Sequence, residues 1–333
     1  MTAPVVVVSV PRQLCLEFFD EAARGRLDDA AARLGGRLER VDSLRGLPKD
    51  ELRVLVTGWG SATLDGRLLD AMPRLGLVAH TGASVRGYVT QEVFARGIRV
   101  TQAGQAMARP VAEVCLTFTL MLLHRTHRMD RALHAGGPWY DPVRFGEQHE
   151  LAASRITVVG ASRTGRSYLA MLRGLGAEPL LVDPTITPEQ AQELGAELVG
   201  LEEGLRRARV LALHAPSLPE TRHLIGAREL ALLPDGAGVV NTARSWLVDE
   251  AALLAEVSSG RIDAAIDVFD EEPLPLDSPW RGLPGAILTP HRAAATVEGR
   301  LNQGRIVASE VSAWAAAEPL QHEITLAAWR VMA

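Results

Sequence analysis

The sequence predicts an α/β protein of two domains, one of them an open, doubly wound parallel sheet. Three observations predict it. Short runs of β-branched and other apolar residues recur along the chain without polar alternation, as strands buried on both faces do, and Ala-, Arg- and Leu-rich stretches of helical composition separate them. A loop-like interruption, Gly136-Gly137-Pro138-Trp139-Tyr140-Asp141-Pro142, divides the series into two arrays. The length of 333 residues suits two domains of roughly 100–200 residues each.

In chain order, the first array has strand candidates at residues 5–10, 54–57, 77–80 and 98–101. Arg109-Pro110-Val111-Ala112-Glu113 then opens a long helix, because proline fits a first turn, where its missing N–H costs nothing. The helix stays apolar to Leu123 and turns basic at Arg125, His127, Arg128 and Arg131, which suits the negative end of a helix dipole. The second array places strands at 156–159, 180–183, 210–214, 239–242, 264–269 and 286–288, with a helix at 166–175. From Thr296 onward, Val297, Leu301, Ile306, Val307, Val311 and Trp314 recur at roughly helical spacing to about residue 317, giving one long terminal helix.

Composition removes several chemistries. With 35 basic and 40 acidic residues the net charge is -5, which leaves no basic surplus for phosphate neutralisation and argues against a nucleic-acid partner. Lys49 is the single lysine and lies in a turn-like Leu-Pro-Lys-Asp-Glu, so a Walker A loop and a Schiff-base lysine both lack their key residue. The two cysteines, Cys15 and Cys115, form no CxxC, which supports neither a disulfide framework nor a zinc site and fits a reducing cytoplasm. The longest nearly uncharged run, residues 114–123, is half of the roughly 20 apolar residues that cross a membrane. The N-terminal stretch has no basic n-region and reads as a first strand.

Two constellations carry chemistry. The first is Gly160-Ala161-Ser162-Arg163-Thr164-Gly165 after the strand at 156–159 and before a helix, a dinucleotide fingerprint whose middle glycine is a serine. Asp183 ends the next strand, where a carboxylate accepts hydrogen bonds from an adenosine ribose and repels a 2'-phosphate. The second is spread over three strand ends: Asn241-Thr242-Ala243-Arg244, Asp267-Val268-Phe269-Asp270-Glu271-Glu272-Pro273 and Thr289-Pro290-His291. A histidine exchanges a proton, a carboxylate beside it stabilises imidazolium, and a guanidinium grips a carboxylate through two parallel hydrogen bonds.

With His80-Thr-Gly-Ala-Ser-Val-Arg-Gly87 and Val111-Ala112-Glu113, these segments resemble the D-isomer-specific 2-hydroxyacid dehydrogenase family over essentially the whole length. The resemblance implies a Rossmann-type doubly wound NAD domain, residues 106–296, and a smaller flavodoxin-like substrate domain built from residues 1–105 and 297–333. It implies Arg244, Glu272 and His291 as the catalytic group. Around NAD it implies Gly160, Ser162, Arg163, Thr164, Gly165, Asp183, His214, Ala215, Pro216, Thr221, Thr242, Ala243 and Asp267, and toward substrate Ser84, Val85, Arg86, Arg244 and Arg292, with no metal. The implied reaction is reversible reduction of a small 2-keto acid to the D-2-hydroxy acid in a homodimer. An NAD(H)-sensing protein on the same fold is the alternative, as is a relative with another hydride donor such as phosphite. Departures from the family pattern are Ser162, Ser245-Trp246 after Arg244, Arg86, and Arg292 after His291; the two arginines either flank the pocket and favour a second polar or anionic group on the substrate, or point into solvent or pair with local carboxylates.

Overall fold

The structure is a computed structural model and describes residues 3–141, 145–330 and 332. Among these residues the strands form two sheets in which every pairing of strand with strand is parallel. The first holds β1 (Pro4–Ser9), β2 (Arg37–Arg40), β3 (Val54–Thr57), β4 (Leu77–His80) and β5 (Arg99–Gln102) in the order β2-β1-β3-β4-β5, the flavodoxin-like order. The second holds β6 (Ile156–Val159), β7 (Leu180–Val182), β8 (Glu197–Leu198), β9 (Val210–Leu213), β10 (Gly238–Asn241), β11 (Asp263–Ile266) and β12 (Ala286–Leu288). Its order, β12-β11-β10-β9-β6-β7-β8, is that of a dinucleotide-binding Rossmann sheet with one strand added at an edge.

The chain divides into two compact units, residues 1–107 with 294–333, and residues 108–293. Residues 106–107 and 294–296 thus sit with the first unit, on the other side of the boundaries expected from sequence. In the first unit, helices Glu21–Arg33 and Val297–Ala315 bury Leu27, Ala31, Val307 and Val311 against Val6, Val8, Val54 and Val56, while Val7, Leu55 and Val78 face a second cluster with Leu69 and Val93. In the second unit one sheet face packs Tyr168, Leu169 and Phe118 on Val158 and Val240, and the other packs Leu205, Leu253 and Trp280 on Leu211, Val239 and Ala264. Covering both faces with helices explains the uninterrupted apolar strands.

Several sequence expectations need correction. The long helix runs Gln105–Leu123 with Pro110 inside it, not at its start; the proline is early enough that the Ala106 carbonyl alone forfeits its i+4 partner. Nor does it continue through the basic residues: Arg125 is left-handed at φ 54°, and a second helix spans Thr126–His134. Arg125 turns away to reach Asp263 at 2.5 Å and the Gly236 carbonyl, while His127 Nε2 (3.0 Å) and Arg128 Nε (2.9 Å) bind the same carboxylate. Burial alone would raise the Asp263 pKa, but these partners hold it well below the ordinary range. Strands β2 and β8 and a short helix, Leu326–Arg330, were not anticipated. Pro142, read as the end of the loop before the second array, lies outside the described residues.

Candidate active site

In the second unit β6 pairs with β7 on one side and β9 on the other, so connections leave in opposite directions and open a crevice at their carboxyl ends. Gly160 has φ +100°, and a Cβ there would lie 2.6 Å from the Ala215 nitrogen; a Cβ on Gly165 would lie 2.1 Å from the Gly160 carbonyl oxygen. Both positions demand glycine. Ser162 does not: it is extended at φ -62°, and its hydroxyl accepts the Gly165 N–H at 3.2 Å, capping helix Arg163–Gly174. The first-turn amides of Arg163 and Thr164 have no intrahelical acceptor and are available to an anion. Beside them lies a cavity of about 880 Å³ lined by Gly160, Asp183, Pro184, Ala215, Pro216 and Thr221.

Asp183 Oδ2 accepts the Ala161 N–H at 2.7 Å, and Oδ1 accepts the Thr185 amide (2.9 Å) and hydroxyl (2.7 Å). Partial burial would raise its pKa; these donors, with Arg166 nearby, hold it below the ordinary carboxylate value. His214 is buried, which pushes its pKa down to about 4, and its Nε2 lies 3.5 Å from Cys115 Sγ. Thr221 bonds within its own loop, to Pro216 and Leu218, and the buried Thr242 hydroxyl has no partner among the described residues.

The other strand ends form a second cluster. His291 Nδ1 lies 2.7 Å from Glu272 Oε2, and Glu272 Oε1 accepts the Phe269 N–H at 2.9 Å. This pair lines a cavity of about 660 Å³ together with Leu274, Arg281 and Leu288. Arg244 follows β10, two strands from β12; burial lowers its pKa, and the Glu272 charge opposes that shift. Asp267 is 1 % exposed and its carboxylate is fully engaged by the Thr289 hydroxyl (2.6 Å) and the Arg292 and Ala293 amides (both 3.0 Å). It therefore holds the segment bearing His291. The Arg292 side chain is exposed, and Ala243 donates its N–H to Asn241 Oδ1 at 3.1 Å.

In the first unit, Ser84, Val85 and Arg86 follow β4. Val85 is in the core, its N–H 3.4 Å from Met332 Sδ. Arg86 is not presented as expected: its guanidinium donates to the Arg330 carbonyl at 2.9 Å and lies over Trp329, 5.8 Å from the ring centroid, so the C-terminal helix already engages it.

Residues 116–293 match the NAD-binding domain of the D-isomer-specific 2-hydroxyacid dehydrogenases, more than half of the chain. The chain belongs to this family. It is 32 % identical to a D-3-phosphoglycerate dehydrogenase of Methanocaldococcus jannaschii over 86 % of this chain and 55 % of that one, and it spans about half the length of the curated phosphoglycerate dehydrogenases it matches. A glyoxylate reductase of Thermococcus litoralis is 30 % identical, with 87 % of this chain and 86 % of that one covered. Among solved structures, a phosphoglycerate oxidoreductase from Rhizobium etli superposes with a TM-score of 0.76 at 30 % identity, covering 97 % and 98 % of the two chains.

The family's dinucleotide is NAD, and the residues present fit it: Gly160 and Asp183 line one cavity, and the capped-helix amides and Gly165 follow Gly160 in the same turn. Sequence reasoning missed two participants. The Phe269 amide, which fixes Glu272, leaves no side-chain signal. Trp246, in sequence a departure from the family pattern and a candidate apolar wall for the substrate, reaches with its indole the cofactor-side loop.

Proposed function

We propose that this dehydrogenase interconverts a small 2-keto acid and its D-2-hydroxy acid, using NADH for reduction. The observation that carries this reading is the His291–Glu272 pair at 2.7 Å, locked from behind by the Phe269 amide. With Nδ1 committed to a carboxylate, Nε2 is the nitrogen left to hand a proton to a substrate oxygen. NADH, when bound, supplies the hydride that reduces the keto carbon. Arg244 grips the substrate carboxylate through its planar fork and polarises the adjacent carbonyl. The carbonyl thereby gains a C–H from the hydride and an O–H from His291, which is left neutral until solvent reprotonates it.

Loss of NADH absorbance over a panel of glyoxylate, pyruvate, hydroxypyruvate, a dicarboxylic and an aromatic keto acid tests the reading. Turnover of one or more supports it; NADH binding without turnover on the whole panel overturns it in favour of a sensing protein. Arg292, exposed beside the proton donor, is the remaining arginine to favour a second anionic group, so Arg292→Ala is expected to lower efficiency on the dicarboxylic acid selectively. We further propose a homodimer, since Trp139 (88 % exposed) and Tyr140 (78 %) display large apolar surface. A monomer mass by light scattering at micromolar concentration would refute it.

A further inference from the structure

Trp246 is the departure from the family pattern that the proposed chemistry does not use. It sits two residues after Arg244, in the short 3-10 turn Ser245–Leu247, and is 39 % exposed while Leu247 and Val248 behind it are anchored in the core. Its Nε1–H donates to the Leu218 carbonyl at 2.8 Å, its own carbonyl accepts the His223 N–H at 2.9 Å, and the Arg222 guanidinium lies 5.2 Å from its ring centroid. All three partners belong to the loop after β9. That loop lines the 880 Å³ cavity through Pro216, Leu218, Glu220 and Thr221, and Thr221 closes it internally with bonds to Leu218 and Pro216. On the other side Arg244 is tied by the Asn241 side chain, which donates to its carbonyl at 2.9 Å. One indole therefore joins the wall of the dinucleotide cavity to the turn that aims Arg244.

We propose that Trp246 is a positioning residue that transmits occupancy of the dinucleotide cavity to Arg244, so that the guanidinium is set for a keto-acid carboxylate once NADH orders the loop. This rests on the role given to Arg244 above. A bound dinucleotide restrains residues 216–224; the Leu218 bond and the Arg222 contact carry that restraint to Trp246, and the rigid turn carries it two residues back. The indole spends its one polar atom on that loop while two-fifths of its surface stays in solvent.

The test is a double-mutant cycle read by calorimetry, with oxamate, a keto-acid isostere, titrated into protein saturated with NADH. Trp246→Phe keeps a ring over Arg222 and removes the Nε1–H. It is expected to weaken oxamate about five- to tenfold while the NADH dissociation constant stays within about twofold. In an Arg244→Lys background the same change is expected to cost less than about twofold, because its route to the anion is already lost. Trp246→Ala is expected to move oxamate binding further in the same direction, with thermal unfolding within a few degrees of wild type. The proposal is overturned if Trp246→Phe leaves oxamate unchanged, if its effect persists in the Arg244→Lys background, or if wild type binds no oxamate. Wild type that shows this coupling but turns over no keto acid would instead refute the proposed reaction and leave the coupling standing.

Discussion

Gly165→Ala should separate what the fingerprint turn requires from what it tolerates. A Cβ at 165 would lie 2.1 Å from the Gly160 oxygen and 3.2 Å from both the Gly160 carbonyl carbon and His214 Cβ. Ordinary contact begins near ~3.5 Å, so the turn and helix Arg163–Gly174 must separate by more than about 1 Å. Overpacking of this kind costs about 1–3 kcal/mol, which for a unit of this size lowers the melting temperature by roughly 2–12 °C. The same displacement moves the Arg163 and Thr164 amides off an anion, so NADH affinity is expected to fall at least about tenfold. Ser162→Gly is the control: it loses one capping bond, costs a few tenths of a kcal/mol, and should leave NADH affinity within about threefold. Fluorescence titration with NADH beside thermal unfolding reads both. Near-wild-type binding and melting for Gly165→Ala, or an equal loss for Ser162→Gly, would refute the steric reasoning.

Asp183→Ala is expected to narrow the preference for NADH over NADPH, measured as the ratio of kcat/KM values; wild type that prefers NADPH contradicts the role given to this carboxylate. His291→Ala should lower turnover by about 10²–10⁴ with NADH binding little changed. His80 is buried with its pKa pushed down to about 4, so the folded chain binds fewer protons than the unfolded one between that value and about 6.5. Its contribution is complete above pH ~6.5 and falls by up to about 3 kcal/mol as pH drops to 4. Denaturant unfolding at pH 6.5 and 4.5 should show a shallower loss in His80→Gln than in wild type.

Much of the fold was legible because strands covered on both faces spell themselves as uninterrupted apolar runs. β1, β3, β4, β9 and β10 read that way, and glycine spacing with Asp183 located the crevice. β2 escaped because Arg-Leu-Glu-Arg is half-exposed at a sheet edge, and β8 because two residues carry no period. Pro110 misled because a start signal and a tolerated early-helix proline look alike in sequence. The site's residue types were visible, but side-chain direction was not. Arg86 follows the expected loop and turns to the C-terminal helix, and Asp267 spends its oxygens on the chain that carries His291. Asp263, the lone charge in an apolar strand, was the one available sign of the buried cluster that ends the long helix early.

Asp183 enters any encounter already immobilised, by one amide from the fingerprint turn and two groups of Thr185. Its rotamer freedom was surrendered on folding, so a sugar that pairs with it bears no further cost for fixing the side chain. The same restraint has a less forgiving side. A carboxylate on a mobile stem could swing aside to admit a phosphorylated ribose, whereas this one can retreat only by giving up its bonds to the Ala161 amide and to Thr185. The carboxylate that would meet the ribose is thus held by the same three hydrogen bonds that order the loop after β7, so Asp183→Ala, besides narrowing cofactor preference, is expected to loosen that loop.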